Sequence, residues 1–380
     1  MAIPKISKEL AKNVWIHSQK LNEPKAFGLG AEAVTKAVQH LGYVQIDTIN
    51  VIERCHHHIL YNRIPEYRPT YLKRAQSVDK TVFEYWTHAL SYLPTKDFKF
   101  YVRQMKRVSA PGSSWYKKVS SQDYAKVKRL LKSGPISIRD IKDDVLVEKE
   151  HLWGSVKPSK KALQLGFYKG DFVIGERDGM LKKYDLTERH FGWTVKPKSI
   201  KETEYGVYLI DRALRAQGII SLDSICHLEQ SERRKQVTKL IQKKIDLKEL
   251  IEVEIQDSNK PHWIKPQILE SKIEASRLVH ILSPFDPLII QRKRVSQFFD
   301  YNHLFEAYLP KEKRKYGYFT LPVLIGNNIE ALLDLKADRE NKKILINNWV
   351  WLNKNKSKEK KKQIEIELDR FSKFQFIEQK

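Results

Sequence analysis

The stretch SKKALQLGFYKGDFVIGERDGMLKKYDL, residues 159–186, decides the fold. Ser159 to Tyr168 reads as a helix. Phe172-Val173-Ile174 and Lys182-Lys183-Tyr184 read as short strands, separated by Arg177-Asp178-Gly179, whose Asp-Gly pair tolerates the positive φ of a hairpin turn. Upstream, a helix from Tyr124, a break at Gly134-Pro135 and a short helix at Ile138 to Ile141 complete the pattern. Three helices and a hairpin make a winged helix, a unit whose third helix normally enters the major groove while the hairpin lies along the DNA backbone. Lys157, Lys160, Lys161 and Lys169 are then placed for phosphates.

The same order of elements recurs from Gly206. A helix runs to Ala216 and Gly218 follows; then come a helix over Leu222 to Leu228, a basic helix from Glu232 to Lys244, and a hairpin of Leu250 to Ile255 with His262 to Ile264. Arg233 and Arg234 open the basic helix and are expected on DNA. Near the N-terminus, apolar positions at helical spacing predict helices over residues 5–17 (Ile6, Leu10, Val14) and 31–41 (Ala33, Val34, Ala37, Leu41). Gly42 breaks the second, and the β-branched run Tyr43 to Ile52 predicts an extended segment. After about residue 270, strand-like runs (Tyr318 to Leu321, Val323 to Ile325, Ala331 to Leu333, Leu345-Ile346) punctuated by Pro322, Gly326 and Asn327-Asn328 predict a small β-rich domain. The lysine run over Lys354 to Lys362 reads as a solvated linker or helix start before an Ile364, Leu368, Phe371 stripe.

The expected fold is therefore α+β, with tandem winged-helix (helix-turn-helix) units followed by a small β-barrel-like C-terminal domain. Its divisions fall at 1–95 (first winged-helix-like unit), 96–200 (basic helical connection and second winged helix), 201–268 (third winged helix) and 269–380 (β-rich domain with a basic, helical tail).

Charge points to the partner. The 380 residues carry 70 Lys plus Arg against 46 Asp plus Glu, a net charge of +24, which favours a polyanion and above all nucleic acid. Residues 96–132 concentrate the excess, with eleven basic and two acidic residues interleaved with Phe98, Phe100, Tyr101, Trp115, Tyr116 and Tyr124. Cations beside rings suit phosphates and exposed bases, although such rings also serve as ordinary core anchors. No apolar run is long enough to span a bilayer, and no secretory leader opens the chain, so a soluble, cytoplasmic protein is expected. Cys55 and Cys226 are too few and too far apart for a disulfide framework.

Chemistry concentrates in Gln45-Ile46-Asp47. In a strand, residues two apart share a face, so Gln45 and Asp47 would meet one ligand together. An ionised carboxylate there stabilises positive charge on a sugar or orients a water, and the amide holds that water. Ordinary glycoside hydrolysis needs a second carboxylate to protonate the leaving oxygen. A cationic N-alkylated purine does not, since it departs already neutralised. By spacing alone, a Gln-x-Asp more often marks a polar pair on a solvated strand face or at a turn.

The run from Leu41 through Gly42-Tyr43-Val44-Gln45-Ile46-Asp47-Thr48-Ile49-Asn50-Val51-Ile52-Glu53-Arg54-Cys55-His56 to His57 resembles the signature of the winged-helix DNA glycosylases of the AlkZ/YcaQ type, the interstrand-crosslink repair glycosylases. Phe83 to Ala89, Tyr184 to Arg189, Leu282 to Leu288 and Lys315 to Tyr318 resemble the same family in the same order, so the likeness covers nearly the whole chain. The resemblance implies tandem winged helices and a small β-barrel forming a curved basic channel for duplex DNA. It also implies removal of N7-alkylguanine and related alkylated purines in base-excision repair, with some members unhooking crosslinks. The family's catalytic motif is Gln-x-Gln in one branch and Gln-x-Asp in the other; Gln45 and Asp47 match the latter, for which monoadducts as well as crosslinks are expected. On this reading the protein is a monofunctional glycosylase acting as a monomer on damaged double-stranded DNA, without a cofactor. Asp47 stabilises the oxocarbenium-like sugar and Gln45 positions water.

Cys55-His56-His57-His58 invites a metal, but neighbouring side chains diverge and no second pair stands at zinc-like spacing, so no metal site is expected. His56 and His57 are expected to support the active-site strand, contact DNA or simply pack. Glu53 is a possible second carboxylate or a structural partner of Arg54. Tyr85 and His88 are candidates to line or support the base pocket beside Trp86, and Asp286 is expected to fix a turn. Two other readings remain: a winged-helix transcription regulator, which would dimerise on paired half-sites, and a bifunctional glycosylase with a Schiff-base lysine.

Overall fold

The computed structural model describes residues 3–109, 119–143, 157–227, 229, 231–352 and 357–377. Trp115, Tyr116, Leu228, Lys354 and Lys356, all read above, lie outside the described residues. The chain forms two compact units: residues 1–71 with 202–380, and residues 72–201.

The first unit opens with a strand, β1 (Lys5–Ile6), and a helix, α1 (Lys8–Ser18). Ile6 was expected in the helix, but the Ser7 side chain accepts a hydrogen bond from the Leu10 amide at 3.1 Å and so caps α1 after it. α2 (Gly30–Leu41) buries Ala33, Val34, Ala37, Val38 and Leu41 on one face and ends at Gly42 with φ +82°. A β-carbon on Gly42 would sit 2.5 Å from the Arg212 side chain, so this stop needs glycine twice over. β2 (Val44–Gln45) and α3 (Cys55–Tyr61) follow, then α4 (Pro69–Ser77), which leads into the second unit.

That second unit begins with the hairpin β3 (Val82–Trp86) and β4 (Leu90–Pro94), then α5 (Phe98–Ser109) and α6 (Ser121–Ser133). β5 (Ile136–Ser137), a single 3-10 turn at Ile138–Asp140, α7 (Pro158–Tyr168), β6 (Phe172–Asp178), β7 (Leu181–Leu186) and α8 (Thr187–Phe191) complete it. The sheet order is β5-β7-β6, and Asp178 pairs with Leu181 across a turn whose Gly179 has φ +56°. Helices and hairpin stand in the expected order, but the short helix expected at Ile138 to Ile141 is a single 3-10 turn, and Arg177 and Asp178 belong to β6 rather than to the turn. Glu84, fully buried on β3, receives two bonds of 2.6 Å from Arg177 on β6 and a third from Gln76 at 2.9 Å. This network fastens the turn end of the hairpin to β3.

The chain re-enters the first unit through α9 (Glu202–Gln217), α10 (Leu222–Ile225) and α11 (Ser231–Asp246), followed by β8 (Ile251–Ile255) and β9 (His262–Ile264). The recurring order of helices and hairpin is present, and β1 joins it in parallel with β8 in a sheet of order β1-β8-β9. After α12 (Gln267–Glu270), β10 (Val279–Ile281) and α13 (Arg292–Phe299) come β11 (Thr320–Ile325), β12 (Asn328–Asp338), β13 (Lys343–Trp351) and α14 (Lys358–Gln375).

The expected barrel is corrected here. The sheet runs β10-β11-β12-β13 and stays open, with β10 and β13 as its edges. Its apolar residues Leu324, Ile329 and Leu332 are covered by helices instead, joining Trp15 of α1 and Val295 and Phe298 of α13 in one core. A sheet whose face is buried this way has no need to close on itself. Among the described residues, no helix is long and apolar enough to cross a membrane.

Candidate active site

The Gln45-Ile46-Asp47 segment hangs between a short strand and a helix. Pairing stops at Gln45, and Asp47 lies beyond it with one carboxylate oxygen accepting the Ile49 amide at 2.8 Å. Strand alternation therefore does not extend to Asp47: a short polar side chain that captures the amide two residues on makes a turn of its own. Gln45 and Ile46 are both buried, while Asp47 is half-buried. Desolvation raises the Asp47 pKa above the carboxylate norm, opposed by the Ile49 and Thr48 amides. A partly desolvated carboxylate interacts more strongly with a cation brought against it than one in bulk water does.

The motif is fixed from below by α3. The Cys55 thiol donates to the Gln45 carbonyl at 3.2 Å, and burial, then the Asp47 charge, push that thiol well above its ordinary pKa. It stays a protonated donor. Cys55 and Cys226 are both free and buried. His56 is buried with its ring 4.3 Å from that of His57, whose Nδ1 bonds the Tyr67 hydroxyl at 2.7 Å. Desolvation, then Arg54, drive the His57 pKa down to about 3, so His57 is neutral at physiological pH. Both histidines belong to the first turn of a helix that braces the motif.

Glu53 is occupied structurally. One carboxylate oxygen accepts the Arg54 amide at 2.8 Å and lies 3.9 Å from the Arg54 guanidinium, while the Glu53 amide donates to Gln375 on α14 at 2.6 Å. α14 also stacks Phe374 on Tyr61 at 4.3 Å and packs Phe371 against His58 at 4.8 Å. The helix that sequence reads as a tail thus supports the floor of the site. Asn50 and Val51 are held by β12, where the Ala337 amide donates to the Val51 carbonyl at 2.8 Å and Arg339 bonds Asn50. Among the described residues, no group of three or more His, Cys, Asp or Glu side chains gathers around a metal-sized point.

Tyr85 and His88 belong to the second unit. Tyr85 is fully buried and donates to the Tyr168 carbonyl at 2.7 Å, a packing role, whereas half-buried His88 sits in the β3–β4 turn with Nδ1 3.3 Å from the Thr87 hydroxyl. Lys157 and Lys160 are exposed at the start of α7; Lys161 is half-buried, and Lys169 lies over the Tyr124 ring at 4.8 Å. Arg233 and Arg234 are engaged within the protein. Arg233 bonds Glu202 and stacks on Tyr205 at 4.6 Å, and Arg234 meets Asp223 at 2.6 Å. The outward row on α11 is instead Lys235, Lys239 and Lys243, all exposed. Their spacing of four was the signal for it.

Asp286 fixes a turn, as expected, by accepting the Leu288 amide at 2.9 Å. It also forms a fully buried, two-bond ion pair with Arg63, whose other nitrogen contacts are the Gln19 and Ile59 carbonyls and the Gln19 side chain.

A helical, sheet-braced frame with a half-buried carboxylate on a chain of net charge +24 suits a protein that acts on nucleic acid, and comparison with known proteins gives its class. The fold is similar over 98% of both chains to the solved Streptomyces sahachiroi DNA glycosylase AlkZ, with a TM-score of 0.63 at 14% sequence identity. Residues 38–374, which include Gln45 and Asp47, match the family described as DNA glycosylase AlkZ-like. The chain belongs to that family, and its substrate is DNA.

Proposed function

We propose that the protein hydrolyses the N-glycosidic bond of alkylated purines, N7-alkylguanine monoadducts foremost, and unhooks interstrand crosslinks, working as a monomer and a monofunctional glycosylase. The observation that carries this reading is the half-buried Asp47 carboxylate at the end of β2, within the family-matched span. Asp47 stabilises the oxocarbenium-like sugar as the bond from C1′ to the purine breaks. The bonding electrons pass into the cationic ring and neutralise it. Water held by Gln45 then adds at C1′ and gives up its proton, with Asp47 as acceptor. No general acid is required, which accords with Glu53 being bound to Arg54.

The two helix-and-hairpin groups serve as winged helices that grip phosphates. Lys157, Lys160, Lys161 and Lys169 act from α7 and its ends, and the Lys235, Lys239 and Lys243 row acts from α11, which Arg233 and Arg234 brace. The transcription-regulator reading is not favoured by the family.

Purified protein incubated with duplexes carrying a defined N7-guanine monoadduct or crosslink, scored for abasic sites, tests the proposal. Abasic sites from both substrates, with no borohydride-trapped complex, are expected. Intact substrates would overturn the assigned lesions, and a trapped complex would overturn the monofunctional mechanism.

A further inference from the structure

The loop between α13 and β11 carries an apolar tip left exposed among the described residues. Tyr308 is 78% exposed, with Leu309 at 41% and Leu304 at 40% beside it. A single exposed ring is ordinary, but three large apolar side chains exposed on one loop form a patch suited to a partner. Beneath it, Phe305 lies 5.7 Å from the Tyr308 ring and packs against Phe285 at 5.0 Å and Phe319 at 5.9 Å. The return of the loop is locked by the buried Glu306 carboxylate, which accepts the Lys315 amide at 2.6 Å and the Tyr316 amide at 2.8 Å. Arg314 donates to the Leu309 carbonyl at 2.8 Å while lying over the Tyr318 ring at 4.9 Å. The tip is therefore a built platform.

Two observations say what it faces. Lys311, Lys313 and Lys315 are exposed on the same loop, a rim suited to a polyanion. β12 joins the loop to the catalytic segment: Asp334 accepts the Tyr318 and Phe319 amides at 3.2 and 3.1 Å, and three residues on, Ala337 donates to Val51. The closeness is also electrical, because desolvation and then the Asp47 charge raise the Tyr308 hydroxyl.

We infer that Tyr308 is a stacking residue, its ring packing on the face of an unstacked nucleobase of the substrate duplex beside the sugar that Asp47 attends. Lys311, Lys313 and Lys315 hold the flanking phosphates. The inference rests on the reading of Asp47 as the catalytic carboxylate. A ring next to a base tolerates any sequence, and a cationic alkylated purine gains additional attraction from the π face.

The test compares wild type, Tyr308→Ala and Tyr308→Phe in two assays: single-turnover release of 7-methylguanine, and fluorescence of 2-aminopurine flanking an uncleavable abasic analogue. Tyr308→Ala is expected to lose roughly 5- to 140-fold in release, the range for one lost base–aromatic stack. It should also lose the fluorescence change that wild type produces, with an unaltered melting temperature. Tyr308→Phe should recover both, since the ring and not the hydroxyl is used. Release within twofold of wild type by Tyr308→Ala, or unchanged fluorescence, would overturn the inference. Asp47→Asn run alongside separates the two claims: normal release by that variant would refute the catalytic carboxylate, while the abasic-analogue fluorescence would still report on Tyr308.

Discussion

Arg63 and Asp286 form a buried pair that ties the end of α3 to the turn before α13, with nitrogen–oxygen distances of 2.7 and 2.9 Å and neither side chain exposed. Removing one partner leaves the other charged and dry, at a cost of about 3–5 kcal/mol. Chemical denaturation of Arg63→Met and Asp286→Asn should show losses of that size, and the double variant should lose much less than their sum. Additive losses would mean that the two residues do not act as a pair.

Gly42 ends α2 just before the candidate motif. Gly42→Ala forces a β-carbon into a left-handed position and against Arg212, for a cost of about 1–3 kcal/mol in thermal or urea unfolding. Arg212→Ala should relieve the collision but not the backbone strain, so the double variant recovers only part of the loss. Full recovery would assign the glycine to space alone.

The exposed α11 row predicts a salt effect. Each of Lys235→Ala, Lys239→Ala and Lys243→Ala should weaken binding to undamaged duplex regardless of sequence and flatten the log–log salt slope by about 0.9 per lysine that meets a phosphate. Arg233→Ala should chiefly lower stability, since its guanidinium is held by Glu202 and Tyr205. An unchanged salt slope in all three lysine variants would remove α11 from the DNA interface.

Asp47 sets a pH limb. Its pKa lies above the ordinary 3.8; on the proposed mechanism the ionised form acts, so the single-turnover rate should fall with acidification through a pKa above 3.8. The raised value also means that the folded protein bears a cost in keeping Asp47 charged at neutral pH, which is relieved as pH falls through the folded pKa toward 3.8. Asp47→Asn should therefore melt at or above wild type at pH 7, with the gap closing in acid. A gap that widens in acid would contradict the assigned direction.

Much of this architecture is written locally. Gly179 opened the hairpin turn, with Arg177 and Asp178 in β6 rather than in the expected turn, and Gly42 ended α2, because a positive φ is a property of one or two residues. What escaped depends on partners remote in sequence. Ile6 became a strand through pairing with Ile255 and the cap at Ser7. The sheet stays open, its face covered by α1 from the far N-terminus and by α13 from between β10 and β11. Strand alternation put Gln45 and Asp47 on one face, but β2 ends at Gln45 and Asp47 makes a turn with Ile49, the other arrangement that the spacing allowed. Arg233 was legible as a cation; its engagement with Glu202, thirty-one residues earlier, was not.

The most direct test of the central claim is release of 7-methylguanine from alkylated duplex by Asp47→Asn, measured beside its DNA affinity. The variant keeps an oxygen for the Ile49 amide and loses only the charge. Release should be abolished while affinity stays near wild type; release at the wild-type rate would contradict Asp47 as the group that stabilises the sugar cation.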